Sequence, residues 1–142
     1  MNLAVTIIQH EDPPASDLDV VYAAFRQFND QRAGRFPQKA LHLLAYGREG
    51  AVIGGLFGAI GWGWLHLDIL WVADACRGQG LGARLLQRAE AEATAMGVFH
   101  AYLETTDFQA YDFYARHGYE SFAVLDDQPP GHRCFYMKKT LS

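Results

Sequence analysis

Residues 76–83 read CRGQGLGA and run straight into RLLQRAEAEATAM, so three glycines in five positions stand where a helix begins. Glycine in a helix's first turn costs roughly 1 kcal/mol relative to alanine. A chain keeps that much backbone freedom either to bend sharply or to let a ligand approach the main chain closely. The strand-like LDILWVAD lies just upstream, and the helix is expected to open on Arg77, Gly78, Gln79, Gly80, Leu81 and Gly82. The first amides of a helix lack intrahelical acceptors and carry the positive end of its dipole, so this segment predicts a phosphate or pyrophosphate site. Two other glycine motifs fail. A dinucleotide fingerprint needs its third glycine one residue later, and a Walker loop needs Gly-Lys-Ser/Thr.

Periodicity on either side of the loop sets the fold class. LAVTIIQ reads as a strand, and SDLDVVYAAFRQFNDQ reads as an amphipathic helix with Ser16 at its N-cap and Leu18, Val21, Tyr22, Phe25 and Phe28 on its apolar face. LHLLAYG and AVIGGLFGAIGW flank a GREG turn as a hairpin, and LHLDILWVA is a further strand. After the glycine cluster, Leu81, Leu85, Ala89, Ala93 and Met96 recur at helical spacing up to Gly97. FHAYLETT is a strand, FQAYDFYARHG a helix, and YESFAVLDD and RCFYMKKTL a closing pair of strands. This order predicts an α/β fold, a mixed and mostly antiparallel central sheet flanked by helices, in one domain over residues 1–142.

Composition excludes several classes. The 142 residues carry a net charge of −4 with no lysine or arginine run, which argues against nucleic acid as partner. No stretch reaches the ~18 unbroken apolar residues of a membrane span, and the N-terminus lacks a secretory pattern. The two cysteines, Cys76 and Cys134, form neither a disulfide framework nor a C-x-x-C pair, so reduced thiols and a cytoplasmic setting are expected. Six histidines without H-E-x-x-H or a helical pair predict no metal site.

The stretch VADACRGQGLGARLL at 72–86, with Arg77, Gly80 and Gly82 in the defining places, resembles the coenzyme A loop Gln/Arg-x-x-Gly-x-Gly/Ala of the GCN5-related N-acetyltransferase (GNAT) superfamily. DFQAYDFYARHGY at 107–119 resembles the helix and turn that carry the family's tyrosine, and the likeness extends over nearly the whole chain. The resemblance implies a GNAT-type fold with a splayed strand, acetyl-CoA as co-substrate, and transfer of its acetyl group to a primary amine of a small molecule or peptide. It also allows an acyl-CoA-binding module without turnover, a longer acyl group, protein N-terminal acetylation, and a homodimer.

Residue roles follow from the same resemblance. Arg77, Gly78, Gln79, Gly80, Leu81, Gly82 and Ala83 are expected to hold the pyrophosphate, mainly through main-chain amides. Leu70, Trp71 and Val72 belong to the splayed strand, whose bulge frees N–H groups for the pantetheine arm and thioester oxygen. Tyr114 takes the place of the general acid, a role suited to a phenol protonated at neutral pH. Asp107 stands where many members have an asparagine on the cofactor arm. Strand alternation puts His66, Asp68 and Leu70 on one face and Leu65, Leu67 and Ile69 on the other. His66 is the candidate general base, with Asp68 to orient it or to bind a cationic acceptor. Arg26, Asn29, His66 and Glu104 are expected around the acceptor, with Phe28, Arg35, His132 and Arg133 as further candidates. Of Trp62, Trp64 and Trp71, two are expected in the core.

Overall fold

In the computed structural model, which describes residues 3–142, the contacts divide the chain into two units, Met1–Arg35 and Phe36–Ser142. The first holds α1 (Ala15–Ala33), which starts behind Pro14. Proline's missing N–H is harmless at a helix start, so the helix opens one residue before Ser16, which makes no capping bond. Gly34, at φ +86°, ends it by donating its N–H to the Asp30 carbonyl. None of its residues is buried, including Leu18, Val21, Tyr22, Phe25 and Phe28. Residues 3–10 form no strand, contrary to the pattern of LAVTIIQ. A strand persists only where a neighbour satisfies its backbone groups, and this segment pairs with none.

The second unit is a six-stranded sheet with two helices. Its elements are β1 (Lys39–Tyr46), β2 (Val52–Gly61), β3 (Trp64–Val72), a short 3-10 turn (Asp74–Cys76), α2 (Leu81–Ala95), β4 (His100–Thr106), α3 (Tyr111–Arg116), β5 (Glu120–Asp126) and β6 (Arg133–Thr140). The strand order is β1-β2-β3-β4-β6-β5. Every neighbouring pair is antiparallel except β3 with β4, whose crossover is α2. The predicted hairpin closes through Gly47–Gly50 as GREG suggested. Trp62 falls in the turn between β2 and β3, not in the strand.

Alternation decides where the core sits. Leu65 and Leu67 of β3, Ala101 and Leu103 of β4, and Met137 of β6 point to one face and cluster with Leu85, Leu86, Ala89 and Ala93 of α2 and with Tyr114 of α3. Most of α2's buried residues were legible as helical spacing; Leu86 widens the stripe and Met96 lies at its margin. Glu90 of α2 adds a polar clamp, accepting from the Tyr119 hydroxyl at 2.9 Å and from Lys139 Nζ of β6 at 3.1 Å. Both helices therefore lie on one side of the sheet. The opposite face carries His66, Tyr102 and Glu104.

Candidate active site

The β3–β4 ladder is short, and this makes the site. Pairing runs only from Leu65 with Ala101 to Leu67 with Leu103. Beyond it, β3 stays bonded to β2 as far as Val72, and β4 stays bonded to β6 as far as Thr106. The two central strands thus part after Leu67, and on that edge Asp68–Val72 has no strand partner among the described residues for its backbone groups.

A bulge sits at the point of parting. Phe57 pairs with Ile69 and Gly58 with Leu67, so Asp68 is an extra residue on β3. Gly58 is what allows it: a Cβ there would collide with the His66 carbonyl oxygen, a backbone atom. The extra residue also reverses the alternation. Leu70 and Val72 pair with Leu56 and Gly54, and a Cβ on Gly54 would meet Leu81 and Leu85 of α2. Leu70 therefore lies on the helix side, opposite His66, and the uniform alternation read from the sequence holds only up to Leu67. Ile69 and Trp71 are exposed. A bulge has this effect because two residues then oppose one, advancing the period-two pattern by a step.

On the helix side a cleft of about 460 Å³ opens between the end of β3, the glycine loop and α3. Leu70, Val72, Arg77, Gly78, Gly80, Leu81, Gly82, Ala83, Phe113 and Tyr114 all line it. Gly80 is the N-cap of α2 in the left-handed conformation, φ +83°, so the helix begins at Leu81 and not at Arg77. Residues 77–80 are loop, and the bend accounts for the backbone freedom. Gly82 lies in the first turn, where a Cβ would touch the Phe113 ring at 3.5 Å and Val72 at 3.9 Å, partly filling the cleft. Leu81, Gly82 and Ala83 thus bring first-turn amides to the cleft wall, the arrangement that attracts an anion. Arg77 turns back, its Nε donating to the Val72 carbonyl and its Nη1 pairing with Asp74 at 2.9 Å. Gln79 reaches the Ala75 carbonyl at 3.5 Å and does not line the cleft.

Tyr114 is buried, and loss of water around its phenol pushes the pKa up to about 12. The Tyr119 hydroxyl is taken by Glu90 at 2.9 Å, whereas Tyr114 lines the cleft. A phenol in that state keeps its proton and can give it to a group arriving in the cleft.

Across the sheet, His66 Nε2 stands 3.0 Å from both Oε1 and Oε2 of Glu104. Its ring stacks on Tyr102 at 4.5 Å with a 19° tilt. The carboxylate that orients His66 is Glu104, brought by β4, and not Asp68, which the bulge displaces. Trp64 stacks on His100 at 4.8 Å beside this pair. None of Trp62, Trp64 and Trp71 is buried, against the expectation of two in the core: Trp62 is in a turn, and the others point away from the helices.

Asp107 departs from its expected place. It accepts from His132 Nδ1 at 2.8 Å and from the Arg133 amide at 3.0 Å, and it does not line the cleft. Those bonds, His132 first, hold its carboxyl below the ordinary range. It fastens the β5–β6 turn, and it also occupies His132; Arg133's guanidinium goes to Asp126 at 3.2 Å. Arg26 and Asn29 stand on α1 in the first unit, where Arg35 pairs with Asp30 at 3.4 Å.

Residues 4–119 match the acetyltransferase (GNAT) family. Over 106 residues the chain is 44% identical to the blasticidin-S acetyltransferase of Streptomyces morookaense, covering 74% of this chain and 78% of that one. The crystal structure of an acetyltransferase from Bacillus cereus superposes with a TM-score of 0.83 at 29% identity, over 94% of this chain and 98% of that one. At the level of the fold alone, the PaiA N-acetyltransferase of Thermoplasma acidophilum, solved in complex with coenzyme A, matches with a TM-score of 0.62 at 19% identity, over 88% and 76% of the two chains. The family match and the relative together show that the chain belongs to the acetyltransferase (GNAT) family.

Proposed function

We propose that residues 1–142 work as one N-acetyltransferase domain that moves an acetyl group from acetyl-CoA to a primary amine of a small molecule, in the cytoplasm. The observation that carries this reading is the coincidence, at one cleft, of three things: unpartnered β3 backbone beyond Leu67, first-turn amides behind Gly80, and the Tyr114 phenol.

The cleft fits such a co-substrate. Amides of Leu81, Gly82 and Ala83 suit a diphosphate, with Gly78 and Gly80 shaping the turn. The free edge of Leu70–Val72 suits the amide-bearing arm, which can pair with it as an added strand would. Trp71 and Gln79 contribute through main chain, since neither side chain lines the cleft. Arg77, engaged with Val72 and Asp74, stiffens the loop. Bound there, acetyl-CoA would supply an activated acyl carbon. His66 takes the proton that an acceptor ammonium must lose before its nitrogen can attack. Tyr114 returns a proton to the departing sulfur from the helix side. The opening between β3 and β4 joins the two faces, so base and acid need not share one wall.

The similarity to a blasticidin-S acetyltransferase supports a small-molecule acceptor and puts blasticidin S first on any panel. The unpaired Cys76 and Cys134 are consistent with a reducing compartment. Among the described residues no helix is long and apolar enough to cross a membrane. The test is release of free thiol from acetyl-CoA over a panel of amines, with calorimetric binding of acetyl-CoA alongside. Amine-dependent release is expected. Tight binding with no release for any amine would replace the enzyme with an acyl-CoA-binding module.

A further inference from the structure

We propose that Glu104 is a positioning residue for His66: by accepting the Nε2 hydrogen it fixes one tautomer and leaves Nδ1 as the atom that receives the acceptor's proton. This rests on the reading of His66 as the base and goes beyond it, since the family resemblance placed Glu104 with the acceptor.

The sheet register brings the two residues together. His66 pairs with Tyr102, and the next pair, Leu67 with Leu103, is the last before the strands part. Glu104 follows at once, on the same face as His66, at the mouth of the fork. Both of its oxygens lie 3.0 Å from Nε2, so the ring nitrogen faces the midpoint of the carboxylate. An ionised carboxylate only accepts hydrogen bonds. The nitrogen between its oxygens must therefore carry hydrogen, and in the neutral ring the lone pair falls to Nδ1. Tyr102, stacked at 4.5 Å, holds the plane of the ring and so the direction of that lone pair.

The proton account closes. Nδ1 binds H⁺ from the acceptor's ammonium, the N–H bond electrons stay on the amine as its attacking lone pair, and the imidazolium so formed sits against the Glu104 carboxylate until Nδ1 passes the proton to water. An acceptor-binding role for the same carboxylate would act on acceptor KM in the presence or absence of the imidazole, whereas a positioning role acts on kcat and only through His66. This separates the proposal from an acceptor-binding role.

The experiment is a double-mutant cycle in the full chain with blasticidin S and a simple primary amine as probes, read as kcat and KM separately. Glu104→Ala is expected to lower kcat about 10- to 100-fold, the range seen when the carboxylate partner of a metal-bound histidine is removed, with KM for acetyl-CoA unchanged. Glu104→Gln, which still offers a carbonyl acceptor, recovers part of that loss and covers the case in which the alanine variant folds poorly. In a His66→Gln background neither change has further effect. The spectroscopic signature is a water-protected imidazole N–H proton resonance, present in the native chain and lost in both Glu104→Ala and His66→Gln. If His66→Gln is slow while Glu104→Ala keeps its rate, or raises acceptor KM equally in both backgrounds, Glu104 does not act through His66 and the proposal fails with the base intact. If His66→Gln itself keeps full rate, the base reading fails and the proposal falls with it, whatever the N–H resonance shows.

Discussion

The two faces of the forked sheet are built by different means. On the helix side the cleft is main chain: a left-handed Gly80, the amides that follow it, and the β3 edge that β4 leaves free. On the other face the working groups are side chains, and His66 and Glu104 meet from 38 positions apart. A backbone device is written in adjacent residues, because glycines and a helix start define it. A side-chain device depends on register between strands, and one inserted residue rearranges it. The bulge at Asp68 belongs to both: it frees the edge on one side and sets which residues face the other.

The sharpest way to break this comparison is therefore Gly58→Ala. The added methyl would collide with the His66 carbonyl oxygen, so β3 must shift. Overpacking of this kind costs about 1–3 kcal/mol, measured as a fall in thermal midpoint. Turnover should fall far more than stability, through loss of both acetyl-CoA binding and acceptor turnover. A variant that stays active with its midpoint unchanged would show that the bulge does not set the site.

Gly80→Val addresses one face alone. A left-handed φ of +83° is costly for any residue with a Cβ, by roughly 1–2 kcal/mol, and worst for a β-branched one. The loop is expected to reshape and calorimetric binding of acetyl-CoA to be lost, while the protected N–H of His66 persists. Loss of that resonance too would mean that the faces are not independent.

How much of this was legible in the sequence follows the same division. The glycine turn, the helix behind it and the helix that carries Tyr114 were readable because each is local, a run of residue types at fixed spacing. The start of α2 was misplaced by four residues since glycine tolerates both a helix and the left-handed loop that precedes it here. Alternation failed beyond Leu67 because no pattern in LHLDILWV announces an inserted residue; the signal lay in the partner strand, in Gly58 of GGLFGAIG. Glu104 and His66 were both singled out, but their pairing was not, since only the β3–β4 register could supply it. The segment LAVTIIQ has the residue types of a strand, and composition cannot tell a chain whether a neighbour is present to pair with.

Tyr114→Phe sharpens the comparison at finer grain. Removing the hydroxyl keeps the ring that fills the core beside Tyr119, which it meets at 5.8 Å, so folding and acetyl-CoA binding should change little. Loss of a general acid costs about 10²–10⁴ in rate, and kcat is expected to fall toward the lower end of that range because water can reprotonate a thiolate. The raised pKa, about 12, puts loss of the phenolic proton well above neutrality. No alkaline limb from this group is expected in the pH–rate profile below about pH 10. Full rate in the phenylalanine variant would make Tyr114 a packing residue only.

The smallest effect is expected at Asp107, and it tests where the cleft ends. Its carboxyl is held below the ordinary 3.8, first by the hydrogen bond from His132 and then by the Arg133 amide. A carboxyl with a lowered folded pKa adds stability above its unfolded pKa, and that contribution fades as pH falls through the folded value. The difference in thermal midpoint between the native chain and Asp107→Asn should therefore be small and constant above about pH 4 and shrink below it. The group is exposed, so solvent screens the pairing and the difference should narrow further in salt. Because Asp107 fastens the β5–β6 turn and lines no part of the cleft, KM for acetyl-CoA should be the same in both proteins. A many-fold rise in that KM, with the midpoint unchanged, would extend the backbone-built side of the site to this carboxylate and redraw the boundary between the two faces.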